Sequence, residues 1–269
     1  MKLIVMGPRG KMGREVTAAA AARPQIQIVG GVGAPGRDYI GSDIGSVAWI
    51  GSLGAPVVDD LSEIIDECDA IIDFTNVEES MKVLRLAVAR GKALVCGTTG
   101  FSEEQRQAFA DAGASIPVML SANTSRLVTV MYQLLAAAAA YGGNDLDVEI
   151  VDMHDNTKID APSGTALEMG QVIADAKGIS LKDNMVCGRE GIDPRKKGTI
   201  GFHSLRGGDV CSHHTVRFFG SGEVLEIAHH SDSFRCFASG AVDAAEFLVH
   251  QKPGCYSMSD MTGIKTLQR

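Results

Sequence analysis

The segment KLIVMGPRGKMG, residues 2–13, joins a short apolar run to three closely spaced glycines. The run over 2–6 predicts a buried strand, and the glycines after it predict a tight turn. An alanine-rich stretch then continues to Pro24 and predicts a helix. A second apolar run at 26–32 completes a strand–turn–helix–strand order, which is typical of a parallel β–α–β unit.

The same alternation continues through the first half of the chain. Apolar runs at 70–75, 93–99 and 117–123 predict strands, helices are predicted between them, and a long helix is predicted over about 125–141. Single helices between strands imply parallel crossover connections. The expected fold class is therefore α/β, with a Rossmann-like doubly wound parallel sheet.

The pattern changes after Asn144. Residues 146–154 alternate apolar and polar side chains, a helix is predicted over about 163–177, and alternating strands recur over 198–231. Runs of strands after a single helix predict an α+β domain with a mixed sheet.

These patterns suggest two domains. The first covers residues 1–125 and the second covers 126–234. The C-terminal segment, about 235–269, is expected to return to the first domain.

Composition limits the class of protein. The 269 residues are 45% hydrophobic and 22% charged, which excludes a disordered chain. A formal net charge of −8 argues against nucleic acid or an anionic membrane as the main partner. The sequence lacks a membrane-spanning apolar run and a signal-peptide pattern, so we expect a soluble protein. The six cysteines are scattered, which predicts reduced, buried thiols and a cytoplasmic location.

The glycine turn is a candidate pyrophosphate site. Gly7, Gly10 and Gly13 stand between a predicted strand and a predicted helix. At such a helix start the backbone can approach a phosphate, and the free N–H groups and helix dipole favour an anion. The spacing is GxxGxxG, so a purely structural glycine turn is the alternative.

The residues after the second strand bear on cofactor preference. No carboxylate occurs there before Asp38, although an acidic residue commonly binds the adenosine ribose at this position. Arg37 and Lys11 can instead bind a 2′-phosphate, which favours NADPH over NADH. A solvated arginine in a loop is the alternative interpretation. The predicted strand ends Phe74–Thr75 and Gly97–Thr99 are expected to line the cofactor cleft.

The segment HDNTKIDAPSGTA, residues 154–166, is the strongest candidate for a substrate site. Pro162 suits the first turn of a helix, so Ser163 and Thr165 are expected to offer hydroxyl and N–H groups to a carboxylate. Lys158 adds a cation, and His154 can exchange a proton near neutral pH. Each of these residues alone is more often structural, and their convergence favours a site.

Several motifs together resemble the dihydrodipicolinate reductase family. They are GPRGKMG, DFT, GTTGF, KIDAPSGTA, GREG (188–191), GTIGFHSLRGGD (198–209), HHTVRF (213–218) and GEVLEIAHHS (222–231). The resemblance implies a dinucleotide-binding first domain and a second domain that binds substrate and builds a homotetramer. It also implies reduction of 4-hydroxy-tetrahydrodipicolinate, a cyclic dicarboxylate, to tetrahydrodipicolinate by NADH or NADPH in lysine and diaminopimelate biosynthesis.

The resemblance assigns roles to individual residues. His154 and Lys158 become the catalytic acid–base histidine and its companion cation. Substrate contacts fall on Asp155, Ser163, Gly164 and Thr165. Cofactor contacts fall on Gly7, Gly10, Lys11, Met12, Gly13, Arg37, Phe74, Thr75, Gly97, Thr98, Thr99 and Asn123.

The chain departs from the family pattern at several of these places. Asp155 stands where the family has a second histidine, and this acid would repel an anionic substrate unless Lys158 neutralises it. Asn123–Thr129 replaces a run that has an aromatic residue, a glycine and a second amide, and Asn76–Val77 departs from the usual sequence after Asp-Phe-Thr. The family has an arginine directly after a serine, whereas here Phe234 separates Ser233 from Arg235. On a strand, this shift by one residue would turn the cation to the other face.

Because of these departures, two alternatives remain open. Besides the family activity, these alternatives are a paralogous NAD(P)H-dependent reductase of another cyclic imine or carboxylated substrate, and a non-catalytic nucleotide-binding or regulatory protein. The histidine pairs 213–214 and 229–230 lie on predicted strands, where neighbours point to opposite faces. No metal site is therefore expected, and residues 195–197 are expected to form a solvated loop.

Overall fold

The computed structural model describes residues 1–143 and 145–263. They form two compact units, one of Met1–Arg126 with Phe234–Gly263 and one of Leu127–Ser233. Part of the expected returning segment, residues 264–269, lies outside the described residues.

The first unit contains a seven-stranded, fully parallel sheet in the order β12-β6-β5-β4-β1-β2-β3. Its strands are β1 (Lys2–Met6), β2 (Gln27–Val32), β3 (Val57–Val58), β4 (Ala70–Asp73), β5 (Ala93–Cys96), β6 (Pro117–Leu120) and β12 (Gly254–Cys255). Its helices are α1 (Lys11–Ala21), α2 (Ile44–Val47), α3 (Val77–Arg90), α4 (Glu103–Ala112), α8 (Arg235–Leu248) and α9 (Met258–Thr262), with 3-10 turns at Leu61–Glu63 and Ile65–Glu67.

Both faces of this sheet are buried, which explains why its strands are continuous apolar runs. Along β1, Leu3 and Val5 belong to one core cluster, whereas Ile4 and Met6 belong to the cluster on the opposite face. Helices α1 and α8 pack together. Arg23 ties this layer together through Asp243 at 2.8 Å and Glu246 at 2.5 Å on α8.

The second unit contains a mixed five-stranded sheet in the order β11-β10-β7-β9-β8. Its elements are β7 (Asp147–His154), α6 (Gly164–Lys177), α7 (Leu181–Asn184), β8 (Met185–Cys187), β9 (Ile200–Arg206), β10 (Ser212–Gly220) and β11 (Glu223–Ser231), and α5 (Arg126–Tyr141) leads into it. Strands β7 and β9 are parallel, while β10 is antiparallel to both β7 and β11. The α/β sheet and the mixed second sheet confirm the predicted fold class.

Several sequence expectations need correction. Strands β3, β8 and β12 were not predicted, because two or three residues carry no periodic signal. Cys187 and Cys255 are exposed, so the expectation of uniformly buried thiols is wrong for them.

The expectation of a solvated loop at 195–197 is wrong for Arg195. Its guanidinium pairs with Asp147 at 2.8 Å and Glu149 at 3.1 Å. The side chain is only 19% exposed.

Candidate active site

The turn between β1 and α1 is shaped by its glycines. Gly7 has a φ of +63°, which favours glycine, and Gly10 begins α1 without a side-chain cap. A Cβ on Gly13 would lie 2.0 Å from the carbonyl oxygen of Gly7. The glycines therefore allow the backbone to turn closely at the start of α1, and the N–H groups of its first turn suit the pyrophosphate of a dinucleotide.

A cleft of about 510 Å³ opens beside this turn. Of the residues predicted to bind cofactor, it is lined by Gly7, Gly10, Arg37 and Thr75. Thr75 is held by Asp73, whose carboxylate accepts its hydroxyl proton at 2.6 Å and its N–H at 2.9 Å. Burial raises the pKa of Asp73.

The remaining cofactor candidates have other surroundings within the first unit. Lys11 Nζ lies 6.0 Å from the ring centre of Phe234, and Met12 packs against the core. Phe74 fills the space where a Cβ on Gly97 would fall, and the Thr98 hydroxyl accepts a bond from Ser80 at 2.9 Å.

Two further candidates complete this picture. Asn123 is buried, and its side-chain oxygen accepts the Ser125 N–H at 2.9 Å. Thr99 is exposed. The structure thus brings four of the predicted cofactor residues into one cleft.

Sequence reasoning missed Arg9 and Tyr39, which line the same cleft. The Arg9 guanidinium lies 5.5 Å from the Tyr39 ring centre, and it is 3.5 Å from the exposed Asp38 carboxylate. The position of Arg9 between Gly7 and Gly10 could have predicted that its cation lies in the cofactor cleft. Tyr39 had no such signal, because its position depends on how the loop after β2 folds.

In the second unit, the segment 154–166 follows β7. Ser163 is the N-cap of α6, and its hydroxyl accepts the Ala166 N–H at 3.1 Å. Pro162 lies one residue before the cap, so its predicted place in the first turn is wrong. The same Ser163 hydroxyl lies 3.0 Å from His214 Nε2, and both Ser163 and Thr165 are buried.

His154 lies at the end of β7 with both ring nitrogens engaged. Its Nδ1 is 3.1 Å from Asp152 Oδ1, and its Nε2 is 3.2 Å from the Ser212 hydroxyl. The ring of His214 meets that of His154 edge-on, with centroids 5.2 Å apart. Burial, followed by the neighbouring His154, lowers the pKa of His214 to about 3. His214 is therefore neutral at physiological pH.

The loop between His154 and Ser163 carries the other two substrate candidates. Lys158 Nζ pairs with Asp160 at 2.7 Å. Asp155 accepts the Thr157 N–H at 2.8 Å and also its hydroxyl proton, so this carboxylate stabilises the turn in which it stands.

Two departures from the family pattern have structural explanations in the first unit. The buried Thr124 donates its hydroxyl proton to the Phe237 carbonyl at 2.6 Å and so anchors α8. Arg235 is the first residue of α8, so the reversal of faces that a shift along a strand would cause does not apply. One residue along a helix turns a side chain by about 100° rather than to the opposite face.

A glycine turn that joins the first strand of a parallel sheet to a helix defines a Rossmann-like dinucleotide-binding protein. The family model described as "Dihydrodipicolinate reductase, N-terminus" matches residues 1–124, and the model described as "Dihydrodipicolinate reductase, C-terminus" matches residues 128–262. The chain belongs to the dihydrodipicolinate reductase family.

Full-length relatives agree with this assignment. The chain is 41% identical over 265 residues to a protein of Hahella chejuensis and 43% identical over 266 residues to one of Pseudomonas fluorescens, both named 4-hydroxy-tetrahydrodipicolinate reductase. Each match covers 98% of this chain and 99% of the relative.

Solved structures support the same fold. One is a dipicolinate-bound dihydrodipicolinate reductase from Paenisporosarcina, which has a TM-score of 0.73 at 24% identity and is matched over 98% of this chain and 99% of its own. An amine dehydrogenase from Mycobacterium smegmatis is similar in fold, with a TM-score of 0.61 at 16% identity over 100% of this chain and 97% of its own.

Proposed function

We propose that this chain reduces 4-hydroxy-tetrahydrodipicolinate to tetrahydrodipicolinate with NAD(P)H, a step of lysine and diaminopimelate biosynthesis. The observation that carries the proposal is the match over 98% of the chain to relatives named for this activity. The environment of His154 supports it, because a buried histidine beside a carboxylate suits proton transfer.

The substrate is a dicarboxylate, and the second unit offers groups that suit it. The start of α6 provides the backbone N–H groups of Gly164 and Thr165, and the helix dipole favours an anion there. Lys158 supplies a positive charge from the adjoining loop, and its present partner Asp160 is half exposed, so the pair can exchange for a substrate carboxylate. Asp155 orders the same loop through Thr157.

The glycine turn fits NAD(P)H because a Cβ at Gly13 would strike the turn that has to receive the pyrophosphate. When bound, NAD(P)H supplies the hydride. Gly7, Gly10, Lys11, Met12 and Gly13 would hold the pyrophosphate through the backbone at the start of α1. The reaction consumes one hydride and one proton and releases the 4-hydroxyl group of the substrate as water; the proton is assigned to His154, with Lys158 assisting.

NADPH is the preferred cofactor in this proposal. Arg9 and Arg37 both line the cleft beside the glycine turn, and two guanidinium groups suit a 2′-phosphate. The Arg9→Ala, Arg37→Ala double variant should lose at least about tenfold in kcat/KM with NADPH and little with NADH, since each charge-assisted bond contributes about 1.5–3 kcal/mol. Equal losses with both cofactors would exclude a role in 2′-phosphate binding.

A homotetramer built by the second unit is also part of the proposal. Helices cover one face of the mixed sheet, whereas Leu205, Phe219 and Val224 on the other face are 47%, 36% and 54% exposed. Exposed apolar groups on a sheet face are typical of an assembly surface. Sedimentation should give four times the 28.3 kDa chain mass, and a monomer would refute the assembly.

A cytoplasmic location is proposed from the six cysteines, because their scattered positions in the sequence are typical of proteins from a reducing compartment. No helix among the described residues is long and apolar enough to cross a membrane.

The deciding experiment is NADPH and NADH oxidation by the purified protein with freshly generated 4-hydroxy-tetrahydrodipicolinate. Turnover above the no-enzyme rate supports the activity and gives the cofactor preference. Binding of reduced cofactor without turnover would instead favour a reductase of another cyclic imine, and Asp155→His would then test whether the departure from the family residue is responsible.

A further inference from the structure

Asp152 is a buried acid close to His154. It stands two residues before His154 on β7, and side chains two apart on a strand share a face. The residue is 1% exposed. A carboxylate is rarely buried to this extent unless it is fully paired.

The surroundings of Asp152 satisfy the whole carboxylate. Its Oδ1 faces His154 Nδ1 at 3.1 Å and accepts a bond from Arg206 Nη1 at 2.7 Å. Its Oδ2 accepts from the Ser204 hydroxyl at 2.7 Å and from the Ser163 N–H at 3.3 Å. Burial opposes ionisation, but the hydrogen bonds from His154, Ser204 and Arg206 outweigh it and hold the pKa of Asp152 well below its usual value.

An ionised Asp152 fixes the proton on one nitrogen of His154. A carboxylate can only accept, so His154 Nδ1 has to donate. In the neutral ring, Nε2 is then the acceptor and faces the Ser212 hydroxyl. The ring faces Asp152 on β7, whose other partner is Arg206 on β9, and neutral His214 on β10, while Lys158 in the following loop acts electrostatically on His214.

Arg206 extends the same network into the substrate loop. Its Nη2 donates to the Asp160 carbonyl at 2.6 Å, while its Nη1 holds Asp152. Ser163, at the start of α6, also donates its N–H to Asp152. One carboxylate thus links His154 to the backbone at both ends of the segment Asp160–Ser163.

We propose that Asp152 is the positioning residue for His154, holding the proton on Nδ1 and stabilising the protonated ring during the reaction. The proposal deepens the proposed reductase function and rests on it for its kinetic consequences. Asp152 acts through His154 and has no assigned contact with the substrate.

Asp152→Asn provides the test, because an amide cannot replace the carboxylate without conflict. The NH₂ group of Asn has to face either His154 and Arg206 or Ser163 and Ser204, so either the Arg206 guanidinium or the Ser163 N–H, both of which can only donate, loses its acceptor. Glu149→Gln is the matched control. Glu149 lies on the same strand and also pairs with a histidine and arginines, through His203 at 2.7 Å and Arg189 at 2.7 Å, but odd-numbered positions of β7 face away from His154.

The first readout is the ¹⁵N spectrum of the His154 ring, which needs no turnover. We expect the Nδ1–H tautomer in the wild-type protein at alkaline pH and in Glu149→Gln, and a smaller population of that tautomer in Asp152→Asn, because a neutral amide oxygen accepts a hydrogen bond more weakly than a carboxylate. An Nε2–H tautomer in the wild-type protein would overturn the proposal even if the variant fails to fold.

The second readout is kinetic. Asp152→Asn should lower kcat by about 10²-fold or more with KM for the cofactor unchanged, as expected when general acid–base catalysis is impaired. The limb of the pH–rate profile that reports His154 should move to lower pH in this variant only, because a stabilising negative charge is lost. An unchanged limb and kcat would overturn the positioning role, whereas an inactive wild-type protein with the expected tautomer would overturn only the proposed substrate.

Discussion

The buried imidazole of His214 should make the folded protein less stable as the pH falls. The side chain is fully buried on β10, where burial and the neighbouring His154 lower its pKa from 6.5 to about 3. In the unfolded chain the same ring titrates near 6.5. As the pH falls below 6.5, the unfolded state therefore gains a proton that the folded state does not bind, and folding is weakened.

The magnitude follows from the two pKa values. The contribution of His214 to stability is complete above about pH 6.5 and is lost progressively as the pH falls towards about 3. At about 1.4 kcal/mol per pH unit, acidification from about pH 7.5 to about pH 5 should cost ~2 kcal/mol through this residue alone.

The assay is urea unfolding at these two pH values, followed by circular dichroism. His214→Gln keeps a polar partner for the Ser163 hydroxyl but cannot titrate, so its loss on acidification should be ~2 kcal/mol smaller than that of the wild-type protein. His213→Gln is the matched control, because this neighbour points to the opposite face of β10, and it should retain the wild-type pH dependence. Equal losses in wild type and His214→Gln would refute the reasoning.

Three further predictions concern the glycine turn, the partly buried Arg195 and the candidate cation Lys158. Gly13→Ala places a methyl group 2.0 Å from the Gly7 carbonyl oxygen, so calorimetry should show NADPH binding weakened at least about tenfold. The free energy of unfolding should fall by about 1–3 kcal/mol. Wild-type affinity would mean that the turn relaxes around the methyl group. Arg195→Met should lower stability by about 2 kcal/mol, whereas Lys196→Met on the exposed neighbour should be nearly neutral, and equal effects would mean that the ion pairs of Arg195 are unimportant. Lys158→Ala should lower kcat/KM by about tenfold or more with an unchanged melting temperature, and an Ala variant with wild-type turnover would remove this cation from the mechanism.

The strands and helices of the first unit were largely predictable because their signals are local. Continuous apolar runs and glycine or proline boundaries gave β1 directly and α1 closely. The residues at which strands end were predicted less accurately. The run at 70–75 stops at Asp73, because Thr75 turns back to bond to the Asp73 carboxylate.

The candidate site was predictable only in part. His154 and Ser163 stand in one recognisable segment. The alternation of apolar and polar residues along β7 could also have predicted that Asp152 shares a face with His154. The contact between Arg206 and Asp152 could not be predicted from the sequence. It depends on β9 lying beside β7 in a register that pairs His154 with Arg206. Between those two strands the chain forms α6, α7 and β8, and no local pattern specifies such a register.

By itself, the sequence determined the alternation of strands and helices, the glycine turn and the family, because each is encoded by residues close together in the chain. The tertiary structure decided which polar groups are buried together. Asp152 gains Arg206 and Ser204 only when β7 and β9 pair, and His214 is desolvated only when β10 packs into the sheet. Burial and pairing across strands set the pKa values, and these depend on distances in space rather than on positions in the sequence.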